Sequence, residues 1–338
     1  MRKLLGLIAA CSVLSFGTAA SADAPTFPEF VPMDAGPEGV VVDNVGNVYV
    51  TVGQPSAVEV RKFTPTGDES LLASLPGSAT AGMAIAPDGK TLYAAVGFVG
   101  VFEIDLDGQY ELVPGSDEIV LPNSMAFDKQ GNLYITETFS FDVDDGVAYY
   151  PNCDGPVFDG WFGRGGIWVV PDGGAAELLL RDDLLTGLCL PNPIPYPIGA
   201  NGIAYDHGDL VVVNTEQALV LEIPVQDVTT LGAPTVVTQV DELGPFGPWL
   251  LDGLALDVRG DAHVAAITGQ AIVHVDRDTG VYETTVSGLL DFPASVAFGT
   301  GKGERQHVFV TNLALGGPGG AGPGIAKIVI GTPGMPLP

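Results

Sequence analysis

One short pattern returns six times along the 338 residues: an oxygen-bearing or methyl side chain, then glycine or serine, then an apolar run. It reads Glu38-Gly-Val-Val-Val-Asp43, Ala81-Gly-Met-Ala-Ile-Ala86, Asn123-Ser-Met-Ala-Phe-Asp128, Asn201-Gly-Ile-Ala-Tyr-Asp206, Asp252-Gly-Leu-Ala-Leu-Asp257 and Ala294-Ser-Val-Ala-Phe-Gly299, at spacings of 43, 42, 78, 51 and 42 residues. Each copy is followed by a short turn and a second apolar run, such as Val48-Tyr-Val-Thr-Val52 or Leu133-Tyr-Ile-Thr136. Gly, Pro, Asp and Asn turn signals divide the first unit into strands near 38–43, 47–52, 57–63 and 69–75, and the second near 82–86, 91–96, 100–105 and 110–114. Four strands in a repeat of about 40–45 residues is the arithmetic of a propeller blade. Helical repeats would space apolar residues three and four apart, and 46 Gly with 27 Pro argue against long helices. The expectation is an all-β, six-bladed β-propeller with four-stranded blades around a central channel. The last unit shows only three strands, near 294–299, 307–313 and 324–330, so residues 27–34 are expected to supply the fourth and close the ring.

The chain starts Met1-Arg2-Lys3, continues through an apolar stretch over 4–14 and reaches Ala20-Ser21-Ala22. A basic start, a short apolar core and a small-x-small site predict a signal peptide over 1–22, leaving 23–338 as one propeller domain that is exported to a periplasm or secreted. The competing reading takes Ile8-Ala9-Ala10-Cys11 as a lipoprotein box with lipid on Cys11. No other stretch is apolar for long enough to span a bilayer. Two cysteines remain after cleavage, Cys153 and Cys189, an even number that suits one disulfide in an oxidising compartment; two buried free thiols are the alternative. With 41 acidic and 13 basic residues the net charge is −28, which repels phosphate backbones and excludes nucleic acid as a partner class. Charged residues are only 16% of the chain against 46% hydrophobic, so it is not an acidic disordered segment.

The first strand of each propeller blade lines the channel, so the residues that open the six motifs should form a ring about the axis. That ring is Glu38, Ala81, Asn123, Asn201, Asp252 and Ala294. Two carboxylates and two amide carbonyls converging on one point make a hard, oxygen-rich site. Without a cation the carboxylates would repel one another and one would take up a proton. Ca²⁺ accepts flexible oxygen coordination and leaves room for water or substrate, whereas zinc would prefer His or Cys. A lone Asn or Asp at a strand start is usually a turn residue; four oxygen donors at one register of one repeat need more than that. Glu38, Asn123, Asn201 and Asp252 are therefore the expected Ca²⁺ ligands.

The segments Pro37-Glu38-Gly39, Pro122-Asn123-Ser124, Ala200-Asn201-Gly202 and Leu251-Asp252-Gly253 resemble those of the SMP-30/gluconolactonase/LRE-like calcium-dependent propellers, and more distantly diisopropylfluorophosphatase and paraoxonase. The resemblance covers roughly residues 30–331. It implies a Ca²⁺-dependent hydrolase of lactones or related small-molecule esters, with Asp252, or secondarily Glu38, activating water or serving as nucleophile. Paraoxonase-like members use a histidine pair near the calcium; here His207 falls in a turn, and His263, His274 and His307 lie on strands away from the ring. The alternative function is a non-catalytic ligand- or protein-binding propeller in which Ca²⁺ only holds the ring together.

The 78-residue spacing between Asn123 and Asn201 exceeds one blade, with most of the excess in 139–163 and 184–200. Each insertion carries one of the two cysteines, and a bridge would staple the pair into a lid over the ring. Phe139, Phe141, Tyr149, Tyr150, Trp161, Phe162 and Tyr196 lie in these loops, and Phe246 and Trp249 precede Asp252. They either line an apolar substrate pocket or pack the loops against the rim. Glu137 and Glu216, at the ends of second strands, are further groups that could approach the channel.

Overall fold

The computed structural model describes residues 26–190, 194–244, 247–315 and 320–337. The expected signal peptide, with Cys11, lies outside the described residues, as does Phe246.

Six antiparallel sheets stand in a ring. The first blade is Pro37–Val42, Val48–Gln54, Ala57–Phe63 and Glu69–Pro76, in that order from the axis outward. The second is Ala79–Ile85, Leu92–Gly97, Gly100–Ile104 and Tyr110–Leu112. Blade three uses Pro122–Phe127, Leu133–Glu137, Gly166–Val170 and Glu177–Arg181. Blade four uses Ala200–Asp206, Asp209–Asn214, Leu219–Asp227 and Thr235–Gln239. Blade five is Leu251–Leu256, Ala262–Ala266, Ala271–Val275 and Tyr282–Val286. Blade six takes Pro293–Phe298, His307–Asn312 and Gly324–Val329 from the chain's end and Phe30–Pro32 from its beginning. The strand expected within 27–34 is thus present, paired antiparallel to the last strand with Phe30 opposite Ala326.

The core is not one mass. Six clusters of buried side chains lie between neighbouring blades, for example Val41, Tyr49, Met83 and Leu92 between blades one and two, and Val211, Val213, Leu254 and Val264 between four and five. This follows from the sequence: strands that face another sheet on both sides read as continuous apolar runs, such as Leu210-Val-Val-Val213. The aspartate that ends many motifs is a turn residue. Asp43 Oδ1 accepts from the backbone N–H groups of Val45 (3.0 Å) and Asn47 (2.8 Å), and Asp128 repeats the arrangement with Gln130 and Asn132 (both 2.9 Å).

Between the second and third strands of blade three the chain adds a hairpin, Ala148–Asp154 with Asp159–Phe162. At the other end of the molecule the C-terminal segment crosses the channel mouth. Met335 donates its N–H to Leu256 O (2.9 Å), and Leu337 packs on the cluster between blades one and two. Among the described residues no helix is long and apolar enough to cross a membrane.

Candidate metal centre and its lid

Every inner strand carries a bulge at the same place. Pro37 faces Val52 and Val40 faces Val50, so Glu38 and Gly39 together oppose the single residue Thr51. The other five blades repeat this two-against-one step at Ala81–Gly82, Asn123–Ser124, Asn201–Gly202, Asp252–Gly253 and Ala294–Ser295. A bulge re-aims a side chain and sharpens local twist, and here it turns the six motif-opening residues at one level of the ring. The small residue that follows is required by the next blade. A Cβ on Gly202 would lie 2.5 Å from Asp252 O, and one on Gly253 2.8 Å from Ser295 Cα.

The residue opposite the bulge is Thr in three blades. Thr51, Thr136 and Thr311 each accept from the N–H of the second bulge residue (2.9 Å in all three). Each then donates to the carbonyl of the ring residue in the following blade: Ala81, Asn201 and Glu38. These hydroxyls couple the ring level of one blade to the next.

The two asparagines are oriented by a second pair of threonines. Asn123 Nδ2 donates to Thr138 Oγ1 (3.1 Å) and Asn201 Nδ2 to Thr215 Oγ1 (3.0 Å). Each amide thereby commits one N–H to the wall, and Asn123 keeps its carbonyl oxygen as a group free to accept. Asn123 Oδ1 and Glu38 Oε2 are buried with no hydrogen-bond partner among the described residues. Burial and the nearby Asp252 charge hold the Glu38 carboxyl well above the usual carboxylate range. Burial pushes Asp252 up to about 8, against a hydrogen bond from Asn201 that lowers it. Glu38 and Asp252 thus sense one another, Asn201 reaches Asp252, and Asn123 presents an orphaned acceptor. These are the features a hard cation would satisfy, and Ala81 and Ala294 complete the ring without donors.

Above the ring, Cys153 and Cys189 form a disulfide with Cα atoms 6.0 Å apart, joining the two insertions. Phe139 and Phe162 are fully buried beside it and pack the loops together. Phe98, Phe158 and Tyr196 form the partly open part of the aromatic group, with ring centroids 5.6–6.4 Å apart. The Tyr196 phenol is raised by burial and then by the charge of Glu38, which sets it over the ring. Tyr149 and Trp161 pack against each other on the exposed hairpin, with ring centroids 5.2 Å apart and planes tilted by 48°. Trp249 packs on Gly244 and Gly269.

Glu137 and Glu216 are buried but are spent on the loops. Glu137 pairs with Arg181 and accepts from Trp168 Nε1 (2.7 Å) and Val120 N (2.8 Å). Glu216 gathers the N–H groups of Leu188, Cys189, Leu190 and Ile198 at 2.6–3.1 Å, fixing the loop that carries Cys189. Burial raises both carboxyls despite these partners. What the sequence did not reveal is the bulge and its threonines. A Thr at the fourth place of the second apolar run, in three repeats of six, was the available signal.

A cavity of ≈ 860 Å³ is at the opposite end of the channel. It is lined by inner-strand residues such as Val40, Met83, Phe127, Leu254 and Phe298 and by the charged or polar Lys129, Asp206, His207 and Arg305, with Met335 and Leu337 of the C-terminal segment. None of the four oxygen-bearing ring residues lines it.

No protein-family model matches the chain, and no curated protein matches it by sequence. Solved structures do. The calcium-binding protein regucalcin from Agrobacterium tumefaciens superposes with TM-score 0.66 at 16% identity, covering 93% of this chain and 98% of that one. A luciferin-regenerating enzyme gives 0.65 at 16% identity, with 89% and 94% covered. A gluconolactonase from Xanthomonas campestris gives 0.61 at 16% identity, with 93% and 99% covered. Over nearly its whole length the chain therefore has the six-bladed propeller fold of regucalcin, gluconolactonase and luciferin-regenerating enzyme.

Proposed function

We propose that the chain is a Ca²⁺-dependent hydrolase of lactones or related esters, with Glu38, Asn123, Asn201 and Asp252 as ligands of the ion. The observation that carries this reading is that two carboxyls raised by burial, Glu38 and Asp252, meet at one level of the channel where Glu38 Oε2 and Asn123 Oδ1 have no hydrogen-bond partner. When bound, Ca²⁺ would polarise the substrate carbonyl and offset the charge developing on its oxygen. Asp252 is the group placed to take a proton from attacking water, or to attack the carbonyl carbon itself, with Glu38 second in line. Asn123 and Asn201 are held by Thr138 and Thr215 through one amide hydrogen each, and a neutral amide orients groups without exchanging a proton. Phe98, Phe158 and Tyr196 give the approach an apolar wall, which favours a hydrophobic lactone or an aryl ester over a polar sugar acid.

The similarity in fold to a gluconolactonase and to calcium-binding regucalcin supports the same reading. The four ligands stand on four different blades, and this favours a second role in which the ion ties the ring together. The test is a panel of lactones and aryl esters, with and without chelator, for the wild type and Asp252→Asn. Turnover abolished by chelator and by the substitution supports the hydrolase. Turnover that ignores chelator sinks the metal mechanism. No turnover on any substrate, together with a Ca²⁺-raised melting temperature, assigns the ion to structure alone.

A further inference from the structure

Blade five departs from the other blades at a place remote from the ring. In blade one the turn aspartate, Asp43, has its Oδ2 satisfied by two neutral donors, Asn47 Nδ2 (2.6 Å) and the Tyr49 hydroxyl (3.0 Å). Blade three keeps the set as Asp128, Asn132 and Tyr134, with Asn132 Nδ2 at 2.7 Å. In blade five the corresponding residues are Asp257, Asp261 and His263. The amide donor has become a second carboxylate and the phenol an imidazole. Directly across the strand pair from His263 stands His274, where blade one has Lys62 and blade three Val169.

The result is a compact group. The ligand atoms of Asp257, His263 and His274 lie within 4.8 Å of one another. His263 Nε2 is 3.3 Å from Asp257 Oδ2, His274 Nε2 is 3.1 Å from Asp261 Oδ2, and the two imidazoles stack with centroids 4.9 Å apart. Asp257 and His263 are buried, and His263 Nδ1 has no hydrogen-bond partner, so no second bond fixes which nitrogen the ring presents. Two carboxylates facing one another need a cation between them. In this structure the cation is the Arg259 guanidinium, whose Nη2 is 3.0 Å from both Asp257 Oδ2 and Asp261 Oδ2 and 3.4 Å from His274 Nε2. Arg259 is also the member of the group best able to leave, because its side chain is 55% exposed.

We propose that Asp257, Asp261, His263 and His274 form a second metal site on blade five, for a divalent transition ion such as Zn²⁺, with Arg259 holding the place of the ion until it binds. Two imidazoles with two carboxylates are a donor set that Zn²⁺ takes and Ca²⁺ does not favour. Swinging Arg259 out to solvent exchanges one cation for another and leaves both carboxylates neutralised. Burial, ahead of the opposing pull of Asp257, lowers the His263 imidazole and keeps it in the neutral form a metal needs.

The test is titration of tag-free protein with Zn²⁺, and with Co²⁺ as a spectroscopic probe, in excess Ca²⁺. One ion per chain with an absorption spectrum of nitrogen-ligated Co²⁺ is expected. His274→Gln, on a partly exposed position that the fold tolerates better than His263, should weaken binding by more than the roughly 100-fold that loss of an outer partner costs. Arg259→Ala should bind more tightly than wild type, a result that a merely structural ion-pair cluster would not give. Asp252→Asn should leave this site's affinity unchanged, which separates it from the ring. Absence of binding, or equal binding by wild type and His274→Gln, overturns the proposal.

Discussion

The two ends of the central channel are built from the same six strands and differ completely in chemistry. At one end the inner strands bulge, turn Glu38, Asn123, Asn201 and Asp252 to one level, and are roofed by loops stapled through Cys153 and Cys189. A few residues further along, the same strands resume regular pairing and present Val40, Met83, Phe127, Leu254 and Phe298 to a cavity covered by the C-terminal segment. The ≈ 860 Å³ cavity is at this second end, while the orphaned Glu38 Oε2 and Asn123 Oδ1 and the raised Glu38 and Asp252 carboxyls are at the other.

The largest effect expected from breaking this contrast comes from Asp252→Asn. If the polar end carries the reaction, turnover should fall about 10³-fold while the melting temperature in chelator stays level or rises, because a buried carboxyl has been removed. Kinetics paired with thermal melts check both halves. Next in size is the lid. Cys153→Ser, closing no loop across the 36-residue separation, should cost about 2–4 kcal/mol in denaturant melts and raise KM more than it lowers kcat. An unchanged KM would detach the lid from substrate binding.

A pH series sharpens the comparison. Glu38 and Asp252 have carboxyls raised above their ordinary values, so the metal-free fold holds protons that the unfolded chain has released. Their contribution is therefore most favourable below the ordinary carboxylate range and is lost as pH rises towards about 8, the Asp252 value. Melts in chelator should fall across that window, and saturating Ca²⁺ should flatten the curve. Smallest is the apolar end. Leu337→Ala trims a partly buried side chain, so it should cost about 1–2 kcal/mol, less than the 2–5 of a fully buried leucine, and leave Ca²⁺ affinity unaltered.

The ring was legible in sequence because a repeat makes register visible: one position read across six copies gives Glu38, Ala81, Asn123, Asn201, Asp252 and Ala294. The strand that closes the ring was legible as well, since the last unit lacked one. The bulges were not, because a two-against-one step is a property of pairing between strands, and neither strand alone contains it. For the same reason the roles of Thr51, Thr136 and Thr311 emerge only when the neighbouring blade is in place. Glu137 and Glu216 show the limit most plainly. Both stand next to the ring in register, yet distant loop amides and Arg181 claim them. Of the aromatic insertions, Phe139 and Phe162 pack the lid, while Phe98 and Phe158, neither of which the sequence singled out, join Tyr196 on its open side.

The pairing of Phe30–Pro32 with Gly324–Val329 has a consequence in time as well as in space. Nearly three hundred residues separate the two halves of that seam, so its closure is about as non-local as a contact in this chain can be, and non-local pairing is slow. Until the final strand is available, Phe30–Pro32 has no partner and the inner pair of blade six lacks its third strand. The last blade therefore acts as a checkpoint: a chain truncated or stalled short of Gly324 keeps apolar blade faces open, and only the finished chain can hide them.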